Sequence, residues 1–250
     1  MSSGHSMSSG IKWIPIEGNP DVMNQWAKKA GLDTSLFSFT DVYGLEPDLL
    51  AMVPRPVKAI ILLSPWQPEL RGPRDQEDLH IQHHGQYPID PSVIWIKQTI
   101  GNACGTMGVL HALLNSHIPF GHDTWLYQLA NECKGKDGYE RAKILESSNT
   151  LAEIHHEAAT GGQSITPQLE DKVEFGYTCF VEAPDPSAPG NGKTRIIELD
   201  GGRNGPVDKG DCRSFLEDVT SIIQEKFIKL TENAGFSVIA LVGAPADNSK

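Results

Sequence analysis

The run Val57-Lys58-Ala59-Ile60-Ile61-Leu62-Leu63 constrains this chain more than any other stretch. After Lys58 every position is apolar, the pattern of a central strand rather than one with a wet face. Such a strand needs neighbours on both edges and helices to cover it. The chain supplies both. Further strands are expected at Phe37–Val42, 173–182, 194–199 and in the closing FSVIALVGA, with 173–182 and 194–199 pairing antiparallel across the Pro/Gly-rich APDPSAPGNGK. Helices are expected from Asn19 or Pro20 to Gly31, as a turn over Pro47–Met52, from near Ala103, once or twice within 123–149, from 150 onward, and over 214–234 up to Gly235. Residues 66–92 are polar, with three histidines and several prolines, and read as a surface loop or mobile segment. The predicted class is α+β: a mainly antiparallel sheet flanked by helices.

With 250 residues there is material for one large core. A hydrophobic fraction of 39% against 21% charged describes an ordinary globular chain, and no apolar run approaches the roughly 18 residues of a membrane span. The opening MSSGHSMSSG lacks the apolar centre of a signal peptide and repeats MSSG at 1 and 7. Residues 1–10 are therefore read as a flexible leader, partly a tag, and 11–250 as a single domain. Cys104, Cys133, Cys179 and Cys212 are widely spaced with no CxxC pair, which argues against a zinc site or a disulfide framework and fits a reducing cytoplasmic or nuclear compartment. No metal or other cofactor is implied. A net charge of -11 argues against nucleic acid and is compatible with a basic partner steered by long-range attraction.

Two short stretches carry the chemistry. In QTIGNACGTMG, residues 98–108, Cys104 opens a helix that reads as buried. Free N–H groups at such a terminus stabilise a thiolate and point at any developing oxyanion. Gln98, six residues earlier across a Gly-Asn turn, could add a side-chain amide. The plain alternative is that Cys104 is a small apolar residue in a packed helix. In DKVEFGYTCFVEA, residues 171–183, the period-two alternation is interrupted by Gly176, which packs nothing.

QTIGNACGTMGVLHALLN resembles the catalytic-cysteine motif of the ubiquitin C-terminal hydrolase family, papain-like deubiquitinases. MVPRPVKAIILLSP is similar to a segment of its fungal members, EDKVEFGYTCFVE to the strand that carries its catalytic histidine, and IIELDGGRNGPVDKG to the strand that carries its catalytic aspartate. The resemblance implies a papain-like α/β/α domain with a knotted backbone. It implies Cys104 as nucleophile, Gln98 in the oxyanion hole and Asp200 as the carboxylate that orients the histidine. It implies a substrate-crossing loop near 157–171, including Glu157, Gly161, Gly162 and Gln163. The implied partner is the basic, Gly-Gly-ending C-terminal tail of ubiquitin or a related modifier, bound by a monomer. The histidine itself is absent: Gly176 stands at its position in the motif. On this reading Gly176 marks a missing general base and not a bulge. It is either an engineered knock-out or the mark of a natural pseudoenzyme, and retention of Cys104, Gln98 and Asp200 favours the first. His111, His155 and His156 are not expected to replace it, and His80, His83 and His84 read as solvated.

Overall fold

The computed structural model describes residues 10–162, 175–231 and 235–244. Six strands form one fully antiparallel sheet: β1 (Phe37–Asp41), β2 (Val57–Pro65), β3 (Phe175–Pro184), β4 (Thr194–Leu199), β5 (Val207–Cys212) and β6 (Ser237–Gly243), in spatial order β1-β6-β2-β3-β4-β5. The apolar run thus lies in β2, between β6 and β3. Its alternate side chains enter two separate cores. Ala59 and Ile61 pack with Met23, Trp26 and Leu110 on one face, and Ile60 and Leu62 with Leu216, Val219 and Ile223 on the other. Burial on both faces is why no polar residue interrupts Ala59–Leu63.

Helices α1 (Pro20–Ala30), α4 (Cys104–Asn115), α5 (Trp125–Glu132), α6 (Gly138–Glu146) and α7 (Asn149–Thr160) supply the first face; α2 (Pro47–Leu50), α3 (Pro68–His84) and α8 (Phe215–Lys226) lie on the second. The element ends follow local chemistry. Asn19 caps α1 by accepting from the Asp21 N–H, and Gly31 closes it in the left-handed region at φ 109°. Asp137 and Glu140 form a reciprocal capping box at α6.

Two expectations are corrected. Residues 66–92 are not a loop throughout, since they contain the 17-residue α3. Only Leu70 of that helix is buried in an apolar core; its inward stripe continues as Arg74, Glu77 and Asp78, at helical spacing but charged. The C-terminal helix ends at Lys226 and is followed by a single 3-10 turn, Ile228–Leu230, so it is shorter than 214–234. β5, unmarked by any apolar pattern, also goes beyond the sequence reading. The readings placed on 1–9, on Gln163 and on Asp171–Glu174 lie outside the described residues.

Candidate active site

Cys104 is the first residue of α4, follows a turn in which Asn102 takes φ 62°, and is only 9% exposed. Asparagine is among the few residues that enter this region readily. The helix is pressed onto the sheet because two of its residues lack side chains. A β-carbon on Gly108 would already touch Tyr177 and Ile61 at 3.4 and 3.5 Å, and one on Gly105 would stand 2.4 Å from Ile16. No side chain caps this N-terminus. Burial, with the Asp200 charge second, pushes the Cys104 thiol up to about 11, against the N–H groups of Gly105, Cys104 and Tyr177, which favour the thiolate.

Gln98 is joined to the turn after β4: its N–H donates to the Gly201 carbonyl at 2.9 Å, and a β-carbon on Gly201 would lie 2.8 Å from that of Gln98. Its side-chain amide donates to the Ile100 carbonyl at 3.2 Å. Asp200 follows β4 directly. Its Oδ1 accepts the Gly202 N–H at 2.7 Å, its Oδ2 accepts an Arg74 N–H at 2.7 Å, and its carbonyl accepts Trp95 Nε1–H at 2.9 Å.

Gly176 pairs with Ser64 in a β2–β3 ladder that runs from Ala59↔Val181 to Pro65↔Phe175 without a register shift. It therefore marks no bulge. A β-carbon there would meet the Trp66 indole at 3.1 Å, and that indole is 51% exposed. Gly176 and Asp200 line a common cavity of about 230 Å³ together with Trp66 and Arg74. The structure thus brings Gly176 and Asp200 together, and places Tyr177, the next residue of β3, against the Cys104 sulfur.

No histidine named from the sequence stands in this cavity. His111 is fully buried; its Nε2 accepts the Ile96 N–H at 3.0 Å, and burial lowers its pKa to about 4. His155 is held between the Thr106 hydroxyl at 2.8 Å and the Ile14 carbonyl at 2.7 Å, lies against Trp13 with the rings tilted by 37°, and is likewise lowered to about 4 by burial. His80, His83, His84 and His156 are exposed. Of the residues assigned to the crossing loop, Glu157 stands in the last turns of α7, paired with Lys29, because Ala158 and Ala159 beside it pack into the core. Gly161 ends that helix and Gly162 lies against Glu17.

Sequence reasoning missed Arg74 and Trp66. Arg74 belongs to a network in which Glu198, 1% exposed, accepts Arg74 at 2.9 Å, Arg203 at 2.8 Å and Lys209 at 2.9 Å. Burial alone would raise the Glu198 carboxyl; Lys209, Arg74 and Arg203 instead hold it well below the usual carboxylate range. The signal available was the spacing Leu70, Arg74, Glu77, Asp78, which is one face of a helix written in charges. Among the described residues no group of three or more histidine, cysteine or carboxylate side chains is arranged to hold a metal ion, and no helix is long and apolar enough to cross a membrane.

Residues 13–228 match the family described as ubiquitin carboxyl-terminal hydrolase, family 1. The chain is 36% identical over 225 residues to a ubiquitin carboxyl-terminal hydrolase of Aplysia californica, an alignment covering 88% of this chain and 96% of the relative. It is 33% identical over 245 residues to ubiquitin carboxyl-terminal hydrolase 3 of Arabidopsis thaliana, covering 96% and 98%. The catalytic domain of Trichinella spiralis UCH37, solved bound to ubiquitin vinyl methyl ester, shares the fold at a TM-score of 0.67 and 20% identity, over 96% of this chain and 99% of that one. A helix opened by Cys104 and laid on an antiparallel sheet, with matches that run nearly its full length, makes this chain a member of the ubiquitin carboxyl-terminal hydrolases of family 1.

Proposed function

We propose that this chain binds the C-terminal tail of ubiquitin or a closely related modifier, with Cys104 as nucleophile, and that its turnover is crippled because position 176, where the general base belongs, is glycine. The observation that carries this reading is the cavity shared by Gly176 and Asp200: a carboxylate held in place by Gly202 and Arg74 faces a strand position with no side chain.

With an imidazole at 176, the chemistry is complete. The ring takes the Cys104 proton, the thiolate attacks the carbonyl carbon of the terminal glycine, and N–H groups at the α4 terminus with the Gln98 amide receive the oxyanion. The imidazolium returns its proton to the leaving amine, and water then hydrolyses the thioester. Gln98 must turn from Ile100 to play its part. Without the ring, a thiol near 11 is thiolate in roughly one molecule in 10^4 at pH 7, and the leaving amine has no positioned acid.

A second reading, a recognition module that has given up catalysis, draws on one specific contact. Arg74 occupies Asp200 Oδ2 and ties it to the Glu198 network, a structural use for a carboxylate otherwise kept for a histidine.

The experiment compares hydrolysis of a fluorogenic ubiquitin C-terminal amide by this chain and by Gly176→His, with Cys104→Ala as blank. The first reading expects a gain on the order of 10^4 to 10^6 on restoring the imidazole, by analogy with triad knock-outs in serine proteases. Equal rates in the two proteins, well above the blank, would mean that another group is the base. Tight ubiquitin binding with no gain in rate would favour the recognition module.

A further inference from the structure

We propose that the cavity between Trp66, Arg74, Gly176 and Asp200 is a binding site for a free base of the imidazole class, which would supply the missing proton transfers and make this chain a hydrolase dependent on an added base. The proposal rests on the reading that position 176 is where the general base belongs.

Size comes first. The cavity is about 230 Å³, larger than the roughly 150 Å³ cavity that admits benzene in an unrelated protein, and imidazole is a smaller ring than benzene. Shape follows from the glycine. The Trp66 indole, close against Gly176, offers a flat aromatic wall on which a planar heterocycle can stack.

Chemistry gives the orientation. Asp200 Oδ2 already accepts from Arg74, and a carboxylate oxygen has a second lone pair for a ring N–H. Donating one nitrogen to Asp200 fixes the tautomer and leaves the other as an acceptor. Cys104 does not itself line the cavity, but the Asp200 charge acts on its thiol and the Tyr177 N–H, one residue along β3 from Gly176, bonds its sulfur, so the cavity and the thiol meet at the same end of the strand. The charges around the cavity are balanced: Arg71, Arg74 and Arg203 against Asp75, Asp78 and Asp200. A neutral ring therefore enters without a strong field against it.

The step balances. The free nitrogen takes the Cys104 proton, the sulfur–carbon bond forms and the carbon–nitrogen bond of the substrate amide breaks. The imidazolium then gives that proton to the departing amine. Deacylation repeats the cycle with water, returning thiol, carboxylate and neutral imidazole. No electrons are exchanged.

The test titrates imidazole into this chain with the fluorogenic ubiquitin C-terminal amide, against Cys104→Ala. The expected result is a saturable rise of tenfold or more, with the saturated rate increasing with pH as imidazole loses its proton near ~6.5–7. Gly176→Val, checked for folding by its melting temperature, fills the cavity and should abolish the saturable part. Trp66→Ala removes the stacking wall and should raise the half-saturating imidazole concentration severalfold; it carries the test should Gly176→Val unfold. A response linear in imidazole, with the same slope in this chain and in Gly176→Val, is catalysis from solution and overturns the site. A flat response while Gly176→His is active overturns it too, and leaves the functional reading standing. If Gly176→His is also inert, both fall.

Discussion

His111 and His155 show what burial does to an imidazole given structural work. His155 has both ring nitrogens committed inside the core, His111 has its Nε2 on the Ile96 N–H, and burial takes each to a pKa near 4, whereas an unfolded chain presents both near the ordinary ~6.5. Between about pH 6.5 and 4 the unfolded state binds protons that the folded state refuses, so stability rises with pH across that window and falls on acidification. At about 1.4 kcal/mol per unit, each histidine removes on the order of 2–3 kcal/mol by pH 4. Urea midpoints at pH 7, 5.5 and 4.5 should fall accordingly, and His155→Asn should show a shallower fall than the parent. A parent midpoint unchanged over that range would refute these depressed values. At the same scale, Cys104 and Asp200 were legible because they sit in dense motifs. Gly176 was legible as an interruption of a period-two pattern, and the unbroken ladder at Ser64↔Gly176 removes the bulge as its cause. Arg74 was not legible as a partner of Asp200, since the two are 126 positions apart and only the folded chain joins them.

Helix α3 is the element that sequence periodicity misjudged, and the reason is energetic. An apolar stripe announces a helix because burial of hydrocarbon drives it onto the core. α3 is held instead by ion pairs: Arg74 to Glu198 and Asp200, Asp78 to Arg203, and Glu77 to Lys209 and Arg203. These join the helix to β4, to the turn after it and to β5. Glu198→Gln leaves Arg74, Arg203 and Lys209 without their common buried counter-charge, a change that costs about 3–5 kcal/mol when a buried pair loses one partner. Chemical denaturation should record that loss, and amide exchange should show α3 opening before the sheet. A cost below ~1 kcal/mol would mean that the network is solvated and does not hold the helix. The strands and the other helices were legible because their drive is hydrocarbon burial, which leaves a period; β5, with Asp208, Lys209, Gly210 and Asp211 in succession, leaves none.

For the whole molecule, the two-sided core around β2 fixes the cavity's position. α4 on one face brings Cys104 to the ends of β3 and β4, and α3 on the other brings Arg74 and Trp66's loop to the same ends. A net charge of -11 attracts any basic partner from solution, and added salt should weaken that attraction. The proposed role of position 176 turns on the ionisation of one sulfur. Alkylation of Cys104 by a small electrophile, followed residue by residue by mass spectrometry across pH, reads it directly in this chain and in Gly176→His. The expectation is a rate in this chain still rising about tenfold per pH unit at pH 9, as a thiol near 11 requires, and a plateau reached by neutral pH once an imidazole stands at 176. A neutral-pH plateau already present in this chain would contradict it, because Cys104 would then be a thiolate without any base at position 176.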